Sequence, residues 1–166
     1  MYNELNNNSM KTNIEIERKF IVREMPKIIP EMVCHSIEQG YLVIGTQGDE
    51  VRLRKKGDAF ILTVKGDGTL ARKETEIVLN EAQFTALWPM TEGKRIVKKR
   101  YEIHSGEHLI ELDVFEGELR PLMFAEVEFD SVEASQDFSV PTWFEKEVTD
   151  DKRYKNRSLA TDGVPK

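Results

Sequence analysis

Charged side chains recur at every second position in segment after segment of this chain, and they come sorted by sign. A period of two is the period of a β-strand, where side chains two apart share a face. Glu15, Glu17 and Lys19 share one face, with Ile14, Ile16 and Phe20 on the other. Arg52 and Arg54 alternate with Val51 and Leu53, and Thr63 and Lys65 alternate with Leu62 and Val64. Arg72, Glu74 and Glu76 line up, as do Lys98 with Arg100, Glu111 with Asp113, and Glu126 with Glu128. The pattern predicts a mainly β, α+β chain with strands over Asn13–Val22, Ser36–Ile44, Asp49–Lys56, Ala59–Lys65, Ala71–Leu79, Arg95–His104, His108–Phe115 and Met123–Ser131.

Helices are expected in the gaps. Asn80-Glu81-Ala82-Gln83 reads as a capping box for a helix to about Trp88, ended by Pro89. Shorter helices are expected over Pro26–Val33, Val132–Phe138 and Thr142–Val148, and a final turn or helix over Arg153–Ala160. Gly57-Asp58 reads as a two-residue hairpin turn, which sets Arg54 opposite Ile61, Arg52 opposite Thr63 and Glu50 opposite Lys65. Ser105-Gly106 reads as another, with Arg100 facing Glu111 and Lys98 facing Asp113. Both registers put the charges on one common face.

An ordinary antiparallel sheet would also turn a polar face to water. Grouping by sign argues for something else, because like charges side by side cost stability unless a ligand or counter-ion shares the space. The common face carries eight carboxylates (Glu15, Glu17, Glu74, Glu76, Glu111, Asp113, Glu126, Glu128) and seven bases (Lys19, Arg52, Arg54, Lys65, Arg72, Lys98, Arg100). Closing the sheet into a barrel would seclude them and leave the apolar face for helices to cover. Carboxylate clusters suit Mg²⁺ or Mn²⁺, which prefer oxygen ligands. Arginine forks suit phosphate oxygens, and lysine adds a point charge. Such a cavity fits a polyanion that arrives with metal, such as a triphosphate.

Composition narrows the alternatives. The 166 residues fit one domain, expected over 13–163 after a polar, Asn-rich leader at 1–12. A net charge of −6 argues against a general nucleic-acid binder. The lone Cys34 can form neither an internal disulfide nor a Cys-rich zinc site, which fits a cytoplasmic protein. No apolar run approaches the roughly 20 residues of a membrane span, so no membrane partner is expected. His35, His104 and His108 lack metal-ligand spacing and read as surface residues, and Trp88 and Trp143 as packing residues. Arg153 and Lys155 either close the cavity mouth or form a solvated charge run.

The run Ile14-Glu15-Ile16-Glu17-Arg18-Lys19-Phe20 contains Glu-x-Glu-x-Lys at the start of the first strand. Gln39-Gly40-Tyr41, Arg52-x-Arg54, Thr63-x-Lys65, Arg72-x-Glu74-x-Glu76, Lys98-x-Arg100-Tyr101, Glu111-x-Asp113, Glu126-x-Glu128 and Glu147-Val148-Thr149-x-Asp151-x-Arg153-Tyr154 follow in order. Together they resemble the CYTH superfamily, the triphosphate tunnel metalloenzymes, most nearly its short bacterial inorganic triphosphatases. The resemblance spans Asn13 to Ala160. It implies a closed eight-stranded antiparallel tunnel and hydrolysis of tripolyphosphate with Mg²⁺ or Mn²⁺.

It also implies roles for individual residues. Glu15, Glu17, Glu126 and Glu128 would be the main metal acids, with Glu74, Glu76 and Asp113 as further ones. Lys19, Arg52, Arg54, Lys65, Arg72, Lys98 and Arg100 would grip phosphate. Lys19 and Tyr41 match a proposed catalytic dyad, in which the ammonium lowers the tyrosine pKa so that it deprotonates water. Glu74 or Glu76 is the alternative base. A nucleoside or thiamine triphosphatase, an adenylyl cyclase of the class sharing this tunnel, and a non-catalytic polyphosphate-binding module stay open as competing functions. Both monomer and homodimer stay open as assemblies.

Overall fold

The computed structural model describes residues 11–27, 32–66 and 71–166, and the side chains of residues 11–15 and 71–72 lie outside that description. The described residues form one sheet of nine antiparallel strands. They are β1 (Lys11–Val22), β2 (Val33–Ile44), β3 (Glu50–Lys56), β4 (Ala59–Lys65), β5 (Ala71–Leu79), β6 (Arg95–Ser105), β7 (His108–Phe115), β8 (Met123–Glu128) and β9 (Phe144–Glu147). Their order is β5-β4-β3-β2-β6-β7-β8-β1-β9, and β5 also pairs with β1. The twelve-residue β1 serves both neighbours: Lys11–Ile16 pair with β5, and Glu17–Ile21 with β8. Among the described residues three short α-helices accompany the sheet: α1 (Glu81–Leu87), α2 (Val132–Asp137) and α3 (Asn156–Asp162).

The capping box forms as the residue types require. Asn80 Oδ1 accepts from the Gln83 amide at 2.8 Å, and the Asn80 amide donates to Gln83 Oε1 at 2.9 Å. α1 stops at Leu87, and Pro89 falls in a 3₁₀ turn over Trp88–Thr91. In α1, Phe84 stacks on Trp88 with centroids 5.0 Å apart.

Several boundaries differ from the sequence reading. β1 already includes Lys11 and Thr12, placed above in the leader, and residues 1–10 lie outside the described ones. β8 ends at Glu128 rather than Ser131, because Ser131 is withdrawn to cap α2, its hydroxyl accepting from the Ala134 amide at 3.1 Å. The helix expected over Thr142–Val148 is the strand β9: β1 has an edge beyond its β5 pairing, and Phe144 packs there on Phe20 at 4.7 Å. Of the helix expected over Pro26–Val33, Pro26 and Lys27 are not helical, Val33 opens β2, and residues 28–31 lie outside the description.

The β3–β4 hairpin has the expected register, Arg52 opposite Thr63 and Glu50 opposite Lys65. The β6–β7 hairpin is shifted by two: Arg100 faces Asp113, and Lys98 faces Phe115. The turn residues are Gly106-Glu107, not Ser105-Gly106. In both hairpins glycine takes the first turn position with positive φ, +57° at Gly57 and +61° at Gly106, the position that tight primed turns reserve for it. A shift of two keeps every side chain on its own face, so the common charged face survives the correction.

Two apolar clusters flank that face. On the opposite side of the sheet, Phe20, Ile110, Leu112, Ala125 and Val127 pack with Phe129, Phe138 and Phe144. His108 stands edge-on to Phe129 and Phe138, at 5.5 and 5.1 Å, and so joins this packing rather than the plain surface expected of it. The second cluster lies on the charged face itself. Ile96, Phe115 and Phe124 continue the charged rows of β6, β7 and β8 by two positions, and Leu119, Val148 and Leu159 of α3 seal them.

Candidate active site

The common face lines a cavity of about 320 Å³. β1 contributes Glu17 and Lys19, β3 Arg52 and Arg54, β4 Lys65, and β5 Glu74 and Glu76. β6 adds Lys98 and Arg100, β7 Glu111, and β8 Glu126 and Glu128. Glu15 and Arg72 are paired through the backbone, and their side chains lie outside the described residues.

The acids and bases are interleaved in space. Glu126 Oε1 lies 2.7 Å from Lys19 Nζ, its cross-strand partner, and Glu126 Oε2 accepts from Arg100 Nη2 at 2.6 Å. Arg100 also donates to both oxygens of Asp113 at 2.7 Å and to Glu111. Lys98 donates to Asp113 as well. On the other side, Arg54 pairs with Glu76 at 2.8 Å and Lys65 with Glu74 at 2.5 Å. Arg54 Nε is buried without a hydrogen-bond partner among the described residues.

Burial and charge together set the proton affinities. Burial pushes the Glu126 carboxyl up, but Lys19, Arg100 and Lys98 overcome it and hold the group well below the usual carboxylate range. Burial works against the Lys19 ammonium, yet Glu126 and Glu17 raise its pKa above the ordinary value. Lys98 goes the other way: burial, then the neighbouring Arg100 charge, lower it to about 8 despite Asp113. Burial and Arg52 lower Arg54 as well.

Tyr41 lines the cavity by strand alternation with Gln39, and two local features flank it. Gly40 lets the 3₁₀ turn press onto β2, since a Cβ there would sit 2.5 Å from Thr91 Oγ1. A β-bulge after Tyr41 then shifts the register, so that Tyr41 faces Arg52 while Val43 faces Val51. The bulged backbone is satisfied by Lys94, whose Nζ donates to the Leu42 carbonyl at 3.2 Å. The Tyr41 hydroxyl accepts from Gln39 Nε2 at 2.7 Å. Burial, followed by the Glu50 charge, pushes its pKa well up, with Arg52 and Gln39 opposing. Lys19 meanwhile holds Glu126, so in this state the two halves of the expected dyad have separate partners.

Asp113 is fully buried on the same charged face, between Glu111 and Phe115, and engages Lys98 and Arg100. Arg153 and Lys155 part company: Arg153 pairs with Asp151 at 2.7 Å on the surface, and Lys155 lines the cavity. Sequence reasoning did not select Gln39, Glu50 or Asn156, which also line it. For Gln39 and Glu50 the signal was present, since each lies two residues from a chosen one on the same strand face. Asn156 comes from α3, and no strand period points to it.

Among the described residues no helix is long and apolar enough to cross a membrane. Residues 13–160 match the CYTH domain model. The chain belongs to the CYTH domain family. It is 49% identical over 148 residues to an inorganic triphosphatase of Nitrosomonas europaea, covering 88% of this chain and 96% of that protein. It is 36% identical over 149 residues to an inorganic triphosphatase of Acetivibrio thermocellus, covering 87% and 92%. A crystal structure described as an inorganic triphosphatase superposes on this CYTH chain with a TM-score of 0.68 at 45% identity, over 91% of this chain and 97% of the other.

Proposed function

We propose that this CYTH chain is an inorganic triphosphatase that binds tripolyphosphate inside an eight-stranded tunnel and hydrolyses its terminal phosphoanhydride by in-line attack of water. The observation that carries the reading is the charged cavity, where Arg52, Arg54, Lys65, Lys98 and Arg100 share one space with Glu17, Glu126 and Glu128. The two relatives named inorganic triphosphatase align with nearly its whole length. The tunnel is supported by β1, which bonds β5 with its first half and β8 with its second.

The donor types suit Mg²⁺ or Mn²⁺, but among the described residues no three acids are gathered closely enough to hold a metal ion, so the acids would have to draw together around it. Glu17 stands opposite Glu128 in the register, and Glu111 opposite Glu126. Like charges directly opposite destabilise a sheet, and a hard cation with oxygen ligands relieves them. Glu17, Glu126 and Glu128 would hold it, with Glu15, Glu74 and Glu76 as further donors. When bound, such a cation neutralises phosphate charge and makes water a better nucleophile. We assign Asp113 to positioning Lys98 and Arg100 rather than to the metal.

In this reading Arg52, Arg54 and Arg72 fork onto phosphate oxygens, and Lys65 and Lys98 add point charges. Arg100, braced by three carboxylates, is a fixed cation for the charge that develops in transfer. Lys19 and Tyr41 are the catalytic pair: the tyrosine becomes a base only if substrate draws Lys19 away from Glu126 towards it. Glu74 or Glu76 is the base otherwise. We place the protein in the cytoplasm, as a monomer or homodimer without nucleic-acid or membrane partners.

The test is phosphate release from tripolyphosphate, ATP and thiamine triphosphate, side by side, with Mg²⁺, Mn²⁺ or a chelator. Tripolyphosphate should be the preferred substrate and the chelator should stop the reaction. Cyclic AMP formation, or binding of polyphosphate without turnover, would overturn the proposal.

A further inference from the structure

One carboxylate stands where a phosphate-gripping wall should not have one. Glu50 opens β3, is 4% exposed, and shares its face with Arg52 and Arg54. Its Oε1 lies 3.5 Å from Arg52 Nη1, and its Oε2 lies 3.8 Å from Arg157 Nη1. A single buried acid thus bridges a guanidinium of the cavity wall and one carried in by α3 from the far end of the chain. Arg157 is itself 8% exposed and donates to the Gly48 carbonyl. Gly48 suits this approach twice over. Its φ of +106° disfavours any side chain, and a Cβ there would come within 3.3 Å of the guanidinium.

We propose that Arg157 is a positioning residue for the phosphate grip. It neutralises Glu50, so that Glu50 aims Arg52 into the cavity instead of repelling the polyanion. The electrostatics require a partner of this kind. Lys65 also stands opposite Glu50 in the register, but a buried carboxylate that loses one of its counter-charges turns more of its field on whatever anion enters, and at low effective dielectric that weakens binding on the order of tenfold. The proposal takes the identity of the anion from the triphosphatase reading, but the charge relay itself is a matter of equilibrium binding.

A double-substitution cycle tests it on the full-length chain, reading KM, kcat, the calorimetric Kd for tripolyphosphate, and Tm. Arg157→Gln should raise KM and Kd about tenfold, with kcat within about threefold, because it exposes the substrate to Glu50. Glu50→Gln alone should cost about threefold, through a less well aimed Arg52. The double variant should match Glu50→Gln, so that the second substitution rescues the first. Arg157→Lys keeps the charge and should bind within about threefold of wild type, even with a lower Tm.

A double variant as weak as Arg157→Gln would overturn the proposal. So would Arg157→Gln with a lower Tm and unchanged Kd, which would make Arg157 only an anchor for α3. If Arg157→Gln does not fold, a tenfold weaker Kd in Arg157→Lys that Glu50→Gln fails to relieve overturns it equally. Wild-type chain that binds tripolyphosphate without hydrolysing it would sink the triphosphatase reading and leave the Kd pattern to decide this one. Wild-type chain that does not bind it would sink both.

Discussion

The two apolar clusters are built from similar residues and do different work. The one on the opposite side of the sheet packs Phe20, Phe129, Phe138 and Phe144 on the face of β1, β7 and β8 away from the charged rows. The other is the end of those rows. Phe124 follows Glu126 on the inner face of β8, and its ring lies 5.2 Å from Lys19 Nζ. Phe115 follows Asp113 on β7, and its ring lies 5.5 Å from Lys98 Nζ. The inner cluster is therefore a floor. It removes water from one side of Lys19 and Lys98, so the charges above it act at low dielectric. One cluster holds the sheet together, and the other also tunes the site.

The largest effect that probes this difference belongs to the first charged rung above the floor. Glu126→Gln should lower tripolyphosphate turnover about 10²–10³-fold, because Glu126 orders both Lys19 and Arg100 and is a metal donor in the proposed reading. Steady-state phosphate release measures it, and a loss under tenfold would separate the rung from the chemistry.

Tyr41→Phe comes next, on the wall opposite. If the phenolate is the base, kcat should fall about 10²-fold with Kd for tripolyphosphate unchanged. A loss under about threefold would pass the role to Glu74 or Glu76.

The comparison itself is tested by a matched pair. Phe124→Ala and Phe144→Ala should each cost about 3–5 kcal/mol in denaturant unfolding, since each empties a buried aromatic site. Only Phe124→Ala should also raise KM, about tenfold, by wetting Lys19 and Lys98. Equal KM changes in both variants would mean that the floor has no special role.

The smallest effect is a pH dependence. Burial lowers Lys98 from 10.5 to about 8, so the folded chain releases this proton first. The charged form is penalised in the fold below pH 8, and that penalty is relieved as pH rises towards 10.5; this group therefore makes stability rise with pH across that window. Affinity runs the other way. In the proposed reading the Lys98 ammonium grips phosphate; it is lost above about pH 8, and kcat/KM should fall there several-fold. Lys98→Arg should flatten that limb, because a guanidinium stays charged.

Much of the candidate site is legible in the sequence. Alternation put Arg52 with Arg54, Lys98 with Arg100 and Glu126 with Glu128 on one face, and the structure lines one cavity with them. The β6–β7 register differs by two residues from the one the turn residues suggest, and a shift of two leaves parity intact. The floor was hidden for the same reason. Period two says that Phe115 and Phe124 share the charged face, but not that α3 would fold over them. Strand β9 was hidden because four residues with a single buried phenylalanine carry little pattern, and only the edge of β1 makes them a strand.

The sequence by itself settled which side chains travel together, because alternation across a strand is a property of the local backbone. Tertiary structure decided what those side chains meet. Arg157 finds Gly48 across 109 positions and so reaches Glu50, Asp113 is buried against two cations, and Lys19 spends its charge on Glu126. Such partnerships depend on which distant segments pack together, and pairing energies at those contacts are written in geometry rather than in spacing.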